Sequence, residues 1–326
     1  MIAPGVELVA ISDRSGHDES HHFGAVVALE RDGSIGLAVG DPELHVYGRS
    51  SNKPMQAVAM VRAGLELPPD LLALVCASHS GTRTHLDGVC QILSRAGLDE
   101  SNLANTEDYP LDGASMRDIV RGGGSSSRLQ MNCSGKHAGM LATAQRRGWP
   151  TDESYLDRAH PVQLAIDDAI AELTGEPFLH VGVDGCGAPA HVTTLIALAR
   201  AFRLIAMAPH GTAEHDVYHA MSTNPFNVGG PGRDVTSFME QIPGLMAKDG
   251  ADGVFVAALP DGRAAALKIA DGGDRARPVV LAAALAALGI DVAPASAAWH
   301  VDIYGHGHPV GCVRPVGALA GLLPST

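Results

Sequence analysis

Arg49-Ser50-Ser51-Asn52-Lys53-Pro54 sets the Ser50 hydroxyl three residues before the Lys53 amine, the distance of one helical turn. That is the layout of a Ser/Lys nucleophile pair. A serine hydroxyl is a poor nucleophile alone, and a neutral lysine within hydrogen-bond reach takes its proton during attack on a carbonyl. The pattern is short, and by itself it more often marks a capped, solvated helix start. It also stands where the periodicity of the chain changes. Before it, residues 6–11, 24–30 and 34–39 read as strands, with Arg31-Asp32-Gly33 as the turn between the last two. After it, Met55, Val58, Ala59 and Ala63 recur at helical spacing, with Gly64 as a stop.

Pro54 complicates the turn, because the residue before a proline is disfavoured in the α region. With Ser51 as N-cap, Pro54 falls in the first turn, where its missing N–H costs little, and the helix N-terminus favours a developing anion nearby.

Further along, residues 71–77 form an apolar run ending at Ser78-His79-Ser80-Gly81, and 85–96 reads as a helix closed by Gly97. Residues 102–130 carry little pattern, and Gly122-Gly123-Gly124-Ser125-Ser126-Ser127 reads as a flexible loop. A helix follows residues 131–140 through Arg146. Pro161 opens another, with Val162, Ala165, Ile166, Ala169, Ile170 and Leu173 as one apolar stripe before Gly175. Residues 180–183 read as a strand, 190–202 as a buried helix and 214–221 as a short one. Residues 253–259 and 264–269 flank the hairpin signal Pro260-Asp261-Gly262, and 278–288 reads as a helix stopped by Gly289. Strands towards both ends and helices between them predict an α+β fold with an antiparallel sheet assembled from the two termini. One domain over 1–326 is expected, its helical middle roughly 54–240 and its sheet portions roughly 6–48 and 243–315.

Composition narrows the function. The chain of 326 residues is long enough for a substantial core, and with 46% hydrophobic but only 4% aromatic residues that core must be built from Ala, Val, Leu and Ile. A net charge of −13 argues against nucleic acid or an anionic membrane surface as partner. The N-terminal Met1-Ile2-Ala3-Pro4-Gly5-Val6-Glu7 has neither the charged nor the apolar region of a signal peptide, and the apolar runs are too short to span a bilayer. Five scattered cysteines suit a reducing compartment better than a disulfide framework, so a cytoplasmic location is expected.

Chemistry-bearing residues gather in Arg49-Ser50-x-x-Lys53, Ser78-His79, Cys133-Ser134-Gly135-Lys136-His137 and Asp184-Gly185-Cys186-Gly187, with Lys268 in Lys268-Ile269-Ala270-Asp271-Gly272 as a fifth candidate. On residue type alone, Cys133 reads as a buried small hydrophobe or a cysteine nucleophile before a metal ligand, since neither it nor Cys186 has a Cys-x-x-Cys partner. A guanidinium such as Arg49 suits a carboxylate, and its bland alternative is a surface salt bridge. The His-x-x-x-His pairs His17/His21 and His215/His219 are weak metal signals. The first lies beside strands and the second lacks the glutamate of zinc proteases, so solvated faces are the preferred reading. Tyr304-Gly305-His306-Gly307-His308 reads as a solvated Gly-spaced loop.

In order along the chain, Glu19-Ser20-His21, Gly40-Asp41, Arg49-Ser50-Ser51-x-Lys53-Pro54-x-Gln56, Ala77-Ser78-His79-Ser80-Gly81, Asn132-Cys133-Ser134-Gly135-Lys136-His137-Ala138-Gly139-Met140, Asp184-Gly185-Cys186-Gly187-x-Pro189 and Ala266-Leu267-Lys268-Ile269-x-Asp271-Gly272 resemble the Rhizobium-type L-asparaginases, also called the asparaginase II or class 3 family. Residues 132–140 are the most specific block. The resemblance implies a fold similar to serine β-lactamases and bacterial glutaminases, and hydrolysis of L-asparagine to L-aspartate and ammonia.

It also implies roles. Ser50 would be the nucleophile with Lys53 as its base, and Ser78 with Lys268 would form a second Ser/Lys pair. Ser80 is the alternative to Ser78. Arg49 would bind the substrate carboxylate, Asp184 would orient water, and His137 would orient Lys136 or the substrate. Cys133, Lys136 and Cys186 match the family's zinc ligands, with lysine an unusual donor that must lose its proton to bind. A homodimer is the expected assembly. Thr82 departs from the pattern, standing where the family commonly has Glu, while His85 is kept. If that Glu pairs with the substrate amine or a nearby cation, substrate preference or affinity changes; if it is structural, nothing does. The competing readings are a related Ser/Lys amidohydrolase, acting on glutamine, a β-lactam or a peptide, and a catalytically silent zinc- or ligand-binding module of the same fold.

Overall fold

The computed structural model describes residues 4–324; residues 1–3, which fall within the N-terminal stretch read for a signal, and 325–326 lie outside them. The strands are β1 (Glu7–Arg14), β2 (His17–Leu29), β3 (Ile35–Val39), β4 (His45–Tyr47), β5 (His180–Val183), β6 (Pro189–Thr194), β7 (Met246–Gly250), β8 (Val254–Ala258), β9 (Ala264–Ile269), β10 (Asp302–Gly305) and β11 (His308–Pro315). The first six helices are α1 (Lys53–Arg62), α2 (Pro69–Val75), α3 (Arg83–Arg95), α4 (Gly113–Arg121), α5 (Ser134–Arg147) and α6 (Pro161–Thr174). Then follow α7 (Leu195–Met207), α8 (Ala213–Thr223), α9 (Pro225–Val228), α10 (Asp234–Gln241), α11 (Arg277–Ala287) and α12 (Ser296–Trp299). The chain divides into two compact units. Unit 1 is Met1–Ser51, Val192–Met207 and Ser237–Thr326, and unit 2 is Asn52–His191 and Ala208–Thr236.

Unit 1 holds an antiparallel sheet in the order β10-β11-β1-β2-β9-β8-β7, with β3 also paired to β2. The two ends of the chain therefore meet in one sheet, as expected for an α+β fold. In β2, Ala25, Val26, Val27, Ala28 and Leu29 are all fully buried. Because alternate strand residues face opposite sides, both faces of the sheet's centre are covered, and α7 and α11 pack against it. The hairpin between β8 and β9 turns at Pro260-Asp261-Gly262 as its sequence predicts, with Gly262 at φ +94°.

Unit 2 is helical and built around α1, whose residues Lys53 to Met60 are all buried, against α5, α6 and α8. The N-cap of α1 is Asn52 and not Ser51; a 3-10 turn over Arg49–Asn52 leads into it, and Pro54 still falls in the first turn, where no N–H is required. Gly135 and Gly139 explain part of the 132–140 block: a Cβ at Gly135 would lie 2.3 Å from the Leu74 carbonyl oxygen, and one at Gly139 would lie 2.7 Å from Val75. Only glycine lets α5 press this closely on α2.

One reading is corrected. Residues 190–202 are not one helix: Pro189–Thr194 is strand β6, whose Val192, Thr193 and Thr194 pair with β4, and the helix begins at Leu195. The β-branched triplet prefers the strand, and the unbroken apolar run concealed the boundary. Residues 304–308 form the solvent-exposed turn of the β10–β11 hairpin, with His306 and Gly307 at positive φ, in keeping with the solvated Gly-spaced reading.

Candidate active site

Within unit 2, Lys53 is the first residue of α1 and only 1% exposed. Its amine donates to the Ala77 carbonyl and lies 3.1 Å from Ser78 Oγ. Ser78 is itself held from both sides: its N–H donates to Val228 O at 3.1 Å, and the Arg233 guanidinium donates to its carbonyl at 3.3 Å. Ser80, the alternative second serine, is committed elsewhere, donating its hydroxyl to Gly229 O at 2.8 Å. The serine brought to Lys53 in this unit is therefore Ser78.

Two neutral histidines stand behind this pair. His79 accepts from the Gly81 N–H at Nδ1 and must donate from Nε2 to Ser134 Oγ at 2.9 Å, because the Ser134 proton goes to Leu129 O. His85 stacks between His79 and Phe226, with ring centroids 5.3 and 5.0 Å away. Burial pushes both imidazoles below their usual value, His79 strongly. Thr82 closes onto His85 at the start of α3: its N–H donates to His85 Nδ1 at 3.2 Å and its hydroxyl lies 2.7 Å from the same atom. The residue at 82 in this chain is thus a helix-start group engaged with His85.

The Cys133 block forms a second cluster in unit 2. Cys133 caps α5, Lys136 and His137 occupy its first turn, and Cys186 sits in the turn between β5 and β6. All four are at most 4% exposed. Lys136 Nζ donates to Cys186 Sγ at 3.1 Å. A hydrogen bond from Cys133, opposed by burial but helped by the Lys136 charge, holds the Cys186 thiol far below its usual range. The same bond, together with burial, pushes Cys133 well up. Burial acts to lower Lys136, but the sulphur charge outweighs it and the amine is held above its usual value. Asp184 closes the β5–β6 turn, its Oδ1 accepting from the Gly185 N–H at 2.8 Å, and its charge acts on Lys136. His137 is fully buried, with Nδ1 2.8 Å from Tyr155 Oη, and its imidazole also interacts with the Cys186 sulphur.

Among the described residues no group of three or more His, Cys, Asp or Glu side chains is placed to hold a metal. The His17/His21 and His215/His219 pairs accordingly form no such group. A metal at the Cys133 cluster would need Lys136 as its third donor. Two thiols and a buried amine already joined by short contacts, beside a buried imidazole, fit zinc chemically, with the ion replacing the protons they now share.

Within unit 1, Arg49 and Asp252 are ion-paired, and both are non-glycine residues in the left-handed region, at φ +51° and +58°. The Lys268 ammonium, on β9, donates to the Asp252 carbonyl. Asp252 therefore holds both predicted cations of this unit, one through its carboxylate and one through its backbone. Burial lowers Lys268 from its usual value, against the opposing pull of the Asp252 and Asp271 charges. A cavity of about 310 Å³ is lined by Leu44, Val46, Tyr47, Arg49, Asp252 and Lys268 among others.

Ser50 is half-buried in the 3-10 turn, and within its own unit its hydroxyl has no hydrogen-bond partner among the described residues. The turn is fixed by its neighbour: the Ser51 N–H donates to Gly48 O and its hydroxyl to Lys248 O, each at 3.0 Å. Lys248, Asp249 and Asp252 were not anticipated as part of this framework. The sequence offered no motif there beyond the Gly-spaced stretch Lys248-Asp249-Gly250-Ala251-Asp252-Gly253. Tyr155 had no sequence signal at all.

A sequence model of L-asparaginase II matches residues 10–315, which includes every candidate site residue named above. The chain belongs to the L-asparaginase II family. Membership makes it a hydrolase of the amidohydrolase type. No curated protein matches the chain significantly. Among solved structures, a β-lactamase from Mycobacterium bovis is similar over 81% of this chain and 94% of its own, at 17% identity and TM-score 0.46. A β-lactamase from Sphaerobacter thermophilus is similar over 82% and 91%, at 16% identity and TM-score 0.44. In this L-asparaginase II chain, no helix among the described residues is long and apolar enough to cross a membrane.

Proposed function

We propose that the protein is an L-asparaginase that hydrolyses L-asparagine to L-aspartate and ammonia with Ser50 as nucleophile and Lys53 as base. The observation that carries the reading is the buried Lys53 amine directed at Ser78 Oγ and a backbone carbonyl in a chain of the L-asparaginase II family. A lysine buried for structural reasons alone is normally paired with a carboxylate.

In this reading Ser50 Oγ attacks the side-chain amide carbon while its proton passes to neutral Lys53. The tetrahedral intermediate collapses as that proton is returned to the leaving nitrogen, releasing ammonia and leaving an aspartyl ester on Ser50. Water, deprotonated by Lys53, cleaves the ester to aspartate and restores Ser50. Ser78 shares the Lys53 proton, and Lys268 acts with Ser78 as the second Ser/Lys pair. Arg49 takes the substrate carboxylate on its fork, a role supported by its pairing with the Asp252 carboxylate. His137 and Asp184 orient substrate and water.

Cys133, Lys136 and Cys186 would hold Zn²⁺, and the bound ion would supply positive charge for polarising a carbonyl or orienting substrate. A cytoplasmic homodimer is the working assembly; the five free cysteines support a reducing compartment. The test is ammonia release from asparagine and glutamine beside a chromogenic β-lactam assay. Preference for asparagine supports the proposal, and turnover of another substrate alone replaces it with that activity.

A further inference from the structure

Tyr155 is fully buried in the turn Glu153–Leu156. Its phenol oxygen has two polar neighbours: the Ala104 backbone N–H, at 3.0 Å, and His137 Nδ1, at 2.8 Å. An amide N–H only donates, so the phenol oxygen accepts from Ala104. The phenol's own proton then needs an acceptor, and among the described residues the hydrogen-bonded acceptor within reach is His137 Nδ1. Leaving a buried O–H unpaired costs the full desolvation penalty of the group. The proton therefore points at Nδ1, which must be bare, and a neutral imidazole with bare Nδ1 carries its hydrogen on Nε2.

The opposite arrangement is worse on both edges of the ring. An Nδ1–H would aim at the phenol oxygen and strand the phenol proton, while a bare Nε2 would turn its lone pair towards the Cys186 sulphur, with which it interacts. The remaining contacts hold Tyr155 in place. Its N–H donates to Asp152 O at 3.1 Å, its carbonyl accepts from Gln163 Nε2 at 2.7 Å, and its ring meets the imidazole edge-on at 77°. Burial pushes the phenol up to about 12, so it stays a donor across the neutral range.

We propose that Tyr155 is a positioning residue that locks His137 in the Nε2–H tautomer, so that the ring edge facing the Cys133/Lys136/Cys186 cluster is a hydrogen-bond donor. Nε2 is buried and makes no hydrogen bond besides its interaction with Cys186. Its hydrogen is therefore available to the cluster sulphur or to a substrate oxygen arriving there. The consequence for catalysis rests on the asparaginase reading; the tautomer does not.

The test is nitrogen NMR of protein labelled at histidine nitrogens, with and without added Zn²⁺. His137 is assigned by the signals missing in His137→Gln. The expected pattern is an unprotonated Nδ1 and a protonated Nε2 in the native protein. In Tyr155→Phe that pattern is lost to the other tautomer or to averaging, and kcat on asparagine falls by roughly 10–100-fold, the usual effect of removing a group that orients a site residue. An Nδ1–H pattern in the native protein, or an unchanged pattern in a folded Tyr155→Phe, overturns the proposal. If Tyr155→Phe does not fold, the native spectrum decides alone. An Nε2–H pattern in a protein that does not hydrolyse asparagine sinks the asparaginase reading and leaves the positioning role standing.

Discussion

Lys53 Nζ lies 3.1 Å from Ser78 Oγ, a contact between residues 25 positions apart and at most 4% exposed. Its second acceptor is the Ala77 carbonyl. Lys53→Met keeps the volume of the stem and removes the amine. The expected result is a loss of activity of roughly 10²–10⁴-fold, the range for a general acid–base group, with a folded protein of similar or greater thermal stability. Ammonia-release kinetics with a parallel melting curve check this, and near-native activity in Lys53→Met would contradict the role.

Arg49 pairs with Asp252 from a left-handed backbone position. Arg49→Lys keeps the charge and loses the fork. Hydrogen bonds to charged groups are worth about 1.5–3 kcal/mol, so KM should rise by roughly tenfold or more with kcat little changed, the mark of lost uniform binding. A fall in kcat at constant KM would place Arg49 in the chemical step instead of in substrate capture.

Burial holds His79 and His85 below the unperturbed 6.5. Between 6.5 and the lower folded values, the unfolded chain binds protons that the folded protein does not. Stability supplied by the neutral rings is therefore complete above 6.5 and lost as pH falls through the folded values, with a slope of up to about 1.4 kcal/mol per pH unit for each ring. Denaturant melts at pH 7.5 and pH 5 should show a marked loss at the lower pH, shallower in His85→Gln. Equal stability at both would contradict neutral burial of these rings.

On the proposed reading, zinc at the Cys133 cluster would depend on three side chains, one of them an amine. Cys133→Ser should lose bound zinc while remaining folded, and chelation of the native protein should lower its melting temperature to that of the variant. Elemental analysis decides: zinc content equal to native in Cys133→Ser would show that the ion is held elsewhere.

Much of the fold was legible where side-chain period and turn chemistry agree. The β2–β3 turn at Arg31-Asp32-Gly33, the β8–β9 hairpin at Pro260-Asp261-Gly262, and α6 between Pro161 and Gly175 are such places. Three elements were hidden for separate reasons. Strand β7 carries Lys248 and Asp249, which read as exposed but are buried against each other, with Arg277 beside them. Helix α4 buries no residue, so its apolar Met116 and Val120 gave no stripe to a core. Strand β6 merged with the apolar start of α7. At the site, motif blocks marked the individual residues, but the Lys53–Ser78 and Lys136–Cys186 contacts join positions 25 and 50 apart. Tyr155 and Asp252 become visible only through the hydrogen bonds they make.

The most direct measurement is ammonia release from L-asparagine by the native protein and by Ser50→Ala, both shown to be folded. The expected result is turnover by the native protein and its loss by several orders of magnitude in Ser50→Ala, as for removal of a covalent nucleophile. Native turnover that survives Ser50→Ala undiminished would contradict the assignment of the nucleophile.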